Sequence, residues 1–559
     1  MIEFNEEKQE KKISDLHRQE EENLVQILSH KYGLTYLDLS KLSVNRDALR
    51  ILSEDKSRKA QVVVFDVINK KIRVGVRSPN NPQTVQAIKE LEEKRYIPTL
   101  FMVSTQSLES AWESYKDLTY IMETKAGSLE ISSEEIANAA TAVKNVGDVK
   151  GLVSETLKSK DGHRISRVLE IIIAGALATK ASDIHMEPEE KYIRLRYRLD
   201  GVLVNILDFD NDTYHLILSR VKLVAGLKIN IKNIAQDGRF TISSGEDNIE
   251  VRTSSIPGAY NESIVLRLLD PKSISVPLEE LGINPRLLSI LEHQIKKPNG
   301  LILTTGPTGS GKTTTLYAFL KKIHSPEIKI ITIENPIEYH LPGIVQTQTD
   351  AKKGYTFLEG LRSALRQDPD VIMVGEIRDA ETAEIAVNAA LTGHLVFSTL
   401  HTNNAAGAFT RLIDLGVNPK VITSALSISM AQRLVRKLCE NCKKAQSLEG
   451  ASKQTVELIL SSIQDKSYIK GLQMETVWEH EGCEKCNFTG YKGRIGVYEA
   501  ILADNEIEEL VIKNPSEREI KKAALMQNIL TIRQDGTIKV LQGITSLSEL
   551  RRVVDLESE

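Results

Sequence analysis

The sequence predicts a multidomain α/β protein built around a parallel sheet that holds phosphate. Three observations carry this expectation. The chain has 559 residues, too many for a single hydrophobic core. The short apolar runs "LILTT", "KIITI", "VIMVG" and "HLVFST" follow one another between residues 301 and 399 with helical stretches between them, the pattern of parallel strands joined by crossover helices. The first of these runs leads straight into "GPTGSGKTTTLY" at 306–317.

Bulk composition narrows the class. Charged residues make up 26% and hydrophobic ones 41%, ordinary values for soluble globular domains. Lys and Arg total 72 against 76 acids, a net charge of −4, so any nucleic-acid surface would have to be local. The most apolar stretch, "RVLEIIIAGALATKASDIH" at 167–185, is short and carries Glu170; it reads as a buried helix and not as a membrane span. The first 23 residues, "MIEFNEEKQEKKISDLHRQEEEN", have no apolar core, so they do not read as a secretory signal. A cytoplasmic protein is expected, with any membrane contact made through partners.

The elements follow in order. Residues 1–23 form a charged arm. Residues 24–118 read as a compact α/β domain: "NLVQILSHKYG" has helical spacing and ends in Gly33, and "AQVVVFDV" and "KIRVGV" read as strands. Residues 119–162 are polar, with Gly127, Gly147, Gly151 and Gly162, and read as a linker with some helix. A second α/β domain spans 163–275, with strands such as "YIRLRYRL" and "ESIVLRLL". The phosphate-binding domain covers 276–436, a cysteine subdomain 437–490, and a helical region 491–559.

Gly306-Pro307-Thr308-Gly309-Ser310-Gly311-Lys312-Thr313 fits G-x-x-x-x-G-K-[ST] in full. Its glycines let backbone N–H groups turn inward on phosphates. Lys312 is expected to reach the β- and γ-phosphates of ATP and the Thr313 hydroxyl to hold Mg2+, with Thr314 beside it in the first turn of a helix. That helix adds its positive end.

Further candidates lie past the following strands. "ITIENPIEY" places Glu334 and Glu338 beyond one strand end, and "DPDVIMVGEIRD" places Glu376 beyond the next, where open α/β sheets keep their ligands. A carboxylate there can order Mg2+ or the attacking water; for each of the three, a capping or salt-bridged acid is the alternative. "TGHLVFSTLHTNN" carries His394 and His401, either of which can bond to a terminal phosphate or simply pack. In "YIRLRYRLDG", Arg194, Arg196 and Arg198 recur at period two. On a strand they share one face about 7 Å apart and repel unless an anion is near. Arg196 and Arg198 are candidates for contact with nucleotide phosphate, Arg220 in "ILSRVKL" a weaker one; a solvated strand face is the alternative.

All four cysteines fall in two pairs, Cys439-Glu-Asn-Cys442 and Cys483-Glu-Lys-Cys486, separated by 40 residues. Two such knuckles supply four thiolates to one tetrahedral Zn2+ and leave no open position, so the site is expected to be structural.

Taken together, "GPTGSGKTTTLY", "IENPIEY", "RQDPDVIMVGEIRDAETAEIAVNAALTGHLVFSTLHTN", "ASDIHMEP" and "RYRLDG" resemble the type II secretion and type IV pilus assembly ATPase family from about residue 165 to the C-terminus. The resemblance implies a RecA-like ATPase domain joined to a PAS-like second domain, with residues 24–118 as an N-terminal docking domain. It implies a homo-hexamer at the cytoplasmic face of the inner membrane, working with a membrane platform protein and a cytoplasmic docking protein. By the same resemblance Glu338 is the general base, Glu376 the Walker B acid, and arginines of the second domain approach ATP. The tetracysteine subdomain is similar to that of assembly and secretion ATPases and unlike retraction ATPases. Two positions depart from the pattern: Asn335 and Asn404 stand where aspartate is usual, and an asparagine cannot balance the charge of Mg2+. Two other functions remain open at this point: a nucleic-acid motor or DNA-uptake ATPase on a similar core, and a docking protein that binds ATP without turning it over.

Overall fold

A computed structural model describes residues 20–39, 44–49, 51–68, 70–113, 115, 128, 129, 143, 145–159, 164–244, 247–270 and 276–557. Most of the charged arm and much of the stretch read as a linker lie outside them. The chain divides into two units, Met1–Glu130 and Ile131–Glu559.

In the first unit, strands Val62–Ile68 and Lys71–Val76 form an antiparallel hairpin, and Ile97–Met102 and Thr35–Tyr36 extend the sheet in parallel. Period-two side chains split the core. Val62 and Val64 pack with Ile72, Val74 and Leu91, while Val63 and Phe65 turn to Leu49, Leu108 and Trp112 on the other face. Helices Pro82–Glu93 and Thr105–Glu113 supply the covering side chains.

The second unit opens with helix Val146–Lys158, inside the stretch expected to be linker. Asn145 and Asp148 form a capping box at its start. It packs on helix Arg164–Ala178, which buries Val168, Leu169, Ile172 and Ile173 as the apolar run predicts. The approach is close at Gly175, where a Cβ would stand 2.6 Å from Cγ2 of Val149. These helices precede an antiparallel sheet, with strands in the order Gln236–Ser244, Asp247–Pro257, Glu262–Leu269, Asp183–Pro188, Ile193–Leu199 and Val202–Phe209.

The mainly parallel sheet runs Val345–Gln348, Ile330–Glu334, Val371–Val374, Leu395–Leu400, Gly300–Thr305, Leu426–Leu438, Tyr491–Leu502. All neighbours are parallel except the last pair. Both faces are covered. Leu301, Leu303, Ile333 and Val374 join one core, and Ile302, Ile330, Met373 and Phe397 join the other. Continuous apolar strands are what a doubly covered parallel sheet requires.

Here the structure differs from the sequence reading. Residues 491–502, expected within a helical region, form the edge strand beside Leu426–Leu438. That 13-residue strand would otherwise leave a long row of unpaired backbone groups. Helices Asn505–Val511, Glu517–Ala524, Ile532–Leu541 and Leu547–Val553 follow. No helix among the described residues is long and apolar enough to cross a membrane.

Candidate active site

Strand Gly300–Thr305 ends in the loop 306–311, and helix Lys312–Ile323 begins at once. Gly309 and Gly311 have φ of 80° and 91°, and nothing lies within 4 Å of a Cβ built on Gly309. Open space therefore lies beside Gly309, and both angles are ones glycine adopts freely, as a phosphate cradle requires. Pro307 and Thr308 are exposed on its rim, while Thr313 and Thr314 sit half-buried in the first helical turn. Ser310 is buried, and its Oγ has no hydrogen-bond partner among the described residues. Lys312 Nζ folds back onto the carbonyls of Gly306 and Pro307 at 2.7 and 3.1 Å. Burial pushes its ammonium below the usual lysine range, Glu376 opposes this, and Arg433 adds to it.

The carboxyl ends of four parallel strands converge on this loop. Glu376 follows strand Val371–Val374, and His401 follows Leu395–Leu400. His401 Nε2 lies 3.2 Å from the Glu376 carboxylate, whose other oxygen is 2.6 Å from Arg378. Glu376 and the Thr313 hydroxyl are hard oxygen donors, a set that suits Mg2+. Glu338 stands on the loop after strand Ile330–Glu334, partly exposed, with Arg252 Nη1 3.4 Å from its carboxylate. Glu334 lies apart from these: it is buried and bonded to Tyr317, Thr332 and Gln346. Burial raises its carboxyl pKa, an effect those bonds only partly offset.

Other candidates fall elsewhere. His394 precedes its strand, so it sits at the amino edge of the sheet, where Nδ1 faces the carbonyl of Ala389 at 3.1 Å. The strand between them holds His394 and His401 about 23 Å apart, and only His401 reaches the loop's edge. The arginines of strand Ile193–Leu199 alternate with buried residues as expected, but their charges are offset from the preceding strand Asp183–Pro188 and the turn after it. Arg194 pairs with Glu189, Arg196 with Glu187 and Arg198 with Asp183. Neither Arg196 nor Arg198 touches the phosphate loop in this chain. Arg220 lies on helix Asn211–Val224 with its Nε buried and unpartnered among the described residues.

Two arginines missed in the sequence stand closer. Arg433, on the strand beside the loop, donates to the carbonyls of Gln432 and Asn403 at 3.0 and 2.7 Å. Arg252 belongs to a row of directly opposed residues, Arg239, Arg252, Arg267, Asp183 and Arg198, crossing five strands. Single arginines in three short strands give no signal until register aligns them.

The cysteines come together as spaced. All four Sγ atoms lie within 4.8 Å of one another. The separations are 3.8 Å for Cys439–Cys483, 3.8 Å for Cys442–Cys486 and 3.7 Å for Cys483–Cys486. A tetrahedron with Zn–S bonds of about 2.3 Å has edges of about 3.8 Å, so the sulfur cage fits Zn2+. The knuckle also reaches outward: the Asn487 side chain accepts a hydrogen bond from Val146 N–H at 2.9 Å.

A parallel sheet whose glycine loop, lysine and acids meet at one carboxyl edge defines a P-loop ATPase. The chain belongs to the family described as "Type II/IV secretion system protein", whose profile matches residues 158–552; an MshEN domain profile matches 32–119. It is 44% identical to a type II secretion system protein E of Klebsiella pneumoniae, over 72% of this chain and 78% of that protein. It is 35% identical to the type IV pilus assembly ATPase PilB of Myxococcus xanthus, over 95% and 91%. In fold it is similar to the Legionella pneumophila ATPase DotB, with a TM-score of 0.50 and 21% identity, covering 69% of this chain and 94% of that one.

Proposed function

We propose that the chain hydrolyses ATP to drive assembly of a type IV pilus or a type II secretion pseudopilus. It works as a homo-hexamer at the cytoplasmic face of the inner membrane, against a platform protein and a cytoplasmic docking protein. The observation that carries this is the convergence of Lys312, Glu376, His401 and the glycine loop at one sheet edge, in a chain of the secretion ATPase family. The match to PilB runs along 95% of the chain at 35% identity, and that to a type II secretion protein E along 72% at 44%, so the reading takes in both branches.

In this reading Lys312 leaves the loop carbonyls for phosphate oxygens, and the N–H groups of Gly309 and Gly311 hold the β-phosphate. Thr313 and Glu376 would hold Mg2+, which would supply charge neutralisation at the phosphates. Glu338 takes the proton of the attacking water, and His401 reports loss of the terminal phosphate to Glu376. Zn2+ at the four cysteines is structural. The net charge of −4 gives no support to a nucleic-acid substrate.

ATP turnover by purified wild type and Lys312→Ala, with pilus formation in cells carrying either, tests the reading. Loss of both activities in the variant is expected. A Lys312→Ala protein that still hydrolyses ATP and still builds filaments at the normal rate overturns it.

A further inference from the structure

Residues 401–405 carry the chain from the end of strand Leu395–Leu400 to the start of helix Ala406–Asp414. Ala405, at that start, has no side chain to cap it. N–H groups at such a start lack intrahelical partners, and here they are met from outside. Ala405 N–H donates to Glu499 Oε1 at 2.8 Å, and Glu499 Oε2 accepts the N–H of Ile532, the first residue of helix Ile532–Leu541, at 3.2 Å. One carboxylate thus joins the starts of two helices, where the positive ends of both dipoles favour it. Its strand places it there: Glu499 pairs with Ala431, two residues before Arg433, and Arg433 holds the Asn403 carbonyl at 2.7 Å.

Asn404 supplies a second fastening. Its Oδ1 accepts the Gly407 N–H at 2.8 Å, and its Nδ2 donates to Glu517 Oε2, on helix Glu517–Ala524, at 2.9 Å. The approach is close: a Cβ on Gly407 would stand 2.9 Å from the other Glu517 oxygen. Asn404→Asp would keep the first bond and set a like charge against Glu517. The asparagine is therefore matched to an acid 113 residues further along the chain.

We propose that Glu499 and Glu517 are positioning residues for His401: they fasten loop 401–405 so that the imidazole stays against Glu376. The inference rests on the reading of His401 as the group that reports loss of the terminal phosphate to Glu376. It makes the segment 491–559 a part of the nucleotide edge. A carboxylate offers acceptors on both oxygens, whereas Glu499→Gln turns an NH2 onto one of the two N–H groups.

The test measures kcat, KM and affinity for a fluorescent ATP analogue in wild type, His401→Ala, Glu499→Gln, Asn404→Asp, Asn404→Asp/Glu517→Gln and Asn404→Asp/His401→Ala. Glu499→Gln is expected to lose about tenfold or more in kcat, with KM and affinity nearly unchanged. Asn404→Asp should lose about threefold or more. Adding Glu517→Gln should restore it, because the exchanged pair puts the donor on 517 and the acceptor on 404. In His401→Ala, Asn404→Asp should cost nothing further, since both changes act through one side chain. Should Glu499→Gln fail to fold, the solvent-facing pair of 404 and 517 carries the comparison. Normal kcat in either Glu499→Gln or Asn404→Asp, beside a slow His401→Ala, overturns the proposal and leaves His401 in its role. A loss in Asn404→Asp that Glu517→Gln does not restore, or that persists in full without His401, also overturns it. Normal kcat in His401→Ala removes the reading of His401 and the proposal with it.

Discussion

Glu376 and His401 meet at 3.2 Å although 25 residues separate them. The contact follows from register: Val374 pairs with Ser398 on the neighbouring parallel strand, so the two strands deliver their next residues to the same edge. Arg378 and Lys312 add positive charge around the same carboxylate. Glu376→Gln keeps the shape and removes the charge that balances them. Turnover is expected to fall about 10²-fold or more with nucleotide still bound. Steady-state kinetics beside a binding titration checks this; unchanged kcat would contradict it.

Gly309→Ala tests the cradle. The site has φ of 80° and open space where the methyl would go. The cost to folding is the strain of a left-handed residue, about 1–2 kcal/mol, and the methyl enters the open space beside the loop, where the proposed function places phosphate. ATP affinity should drop at least tenfold while the nucleotide-free protein melts within a few degrees of wild type. Retained affinity would mean that phosphate does not occupy this loop.

Zn2+ should be found at one per chain by elemental analysis and lost in Cys483→Ser/Cys486→Ser. Chelation should lower Tm by several degrees, because metal bound only to the folded state adds its binding energy to stability. Full stability without metal would show that the sulfur cage stands unaided.

Gly175→Ala separates helix propensity from packing. In an open helix alanine gains about 0.5–1 kcal/mol over glycine. Here the new Cβ falls 2.6 Å from Val149, an overlap of the kind that costs about 1–3 kcal/mol. Net destabilisation in a denaturant titration is expected, with recovery in Gly175→Ala/Val149→Ala. A single variant more stable than wild type would refute the contact.

Acid sensitivity should concentrate at Glu549. Burial alone would raise its pKa, but Arg552 and Arg436 hold the carboxyl down at about 2. An unfolded glutamate titrates at about 4.3. The pair therefore contributes full stability above that value and loses it as pH falls towards 2. Glu549→Gln should be less stable at neutral pH and show a flatter stability profile between about 4.5 and 2. Parallel profiles for the two proteins would rule this out.

Much of the site was legible in the sequence because its signals are local. The loop lies within eight residues of chain, each cysteine pair within four, and the strand runs are mostly apolar and buried throughout. What escaped depends on register and depth. Arg252 looked like any strand arginine until pairing set it between Arg239 and Arg267 and opposite Glu338. His394 and His401 looked equivalent in one motif, yet a strand's length separates the two edges they occupy. Glu334 is acidic like its neighbours, and only burial against Tyr317 removes it from the nucleotide edge. Residues 491–502 alternate only loosely, and their strand state comes from the long neighbour that needed a partner.

Strand Leu426–Leu438 passes the phosphate loop and continues to Cys439. Gln432 Nε2 holds the Ser310 carbonyl at 2.8 Å, and Arg433 lies beside it. Seven residues on, about 23 Å away at strand rise, the same backbone enters the sulfur cluster. One strand therefore runs from the phosphate loop to the sulfur cluster, its pairing interrupted by the irregularity between Arg436 and Leu438.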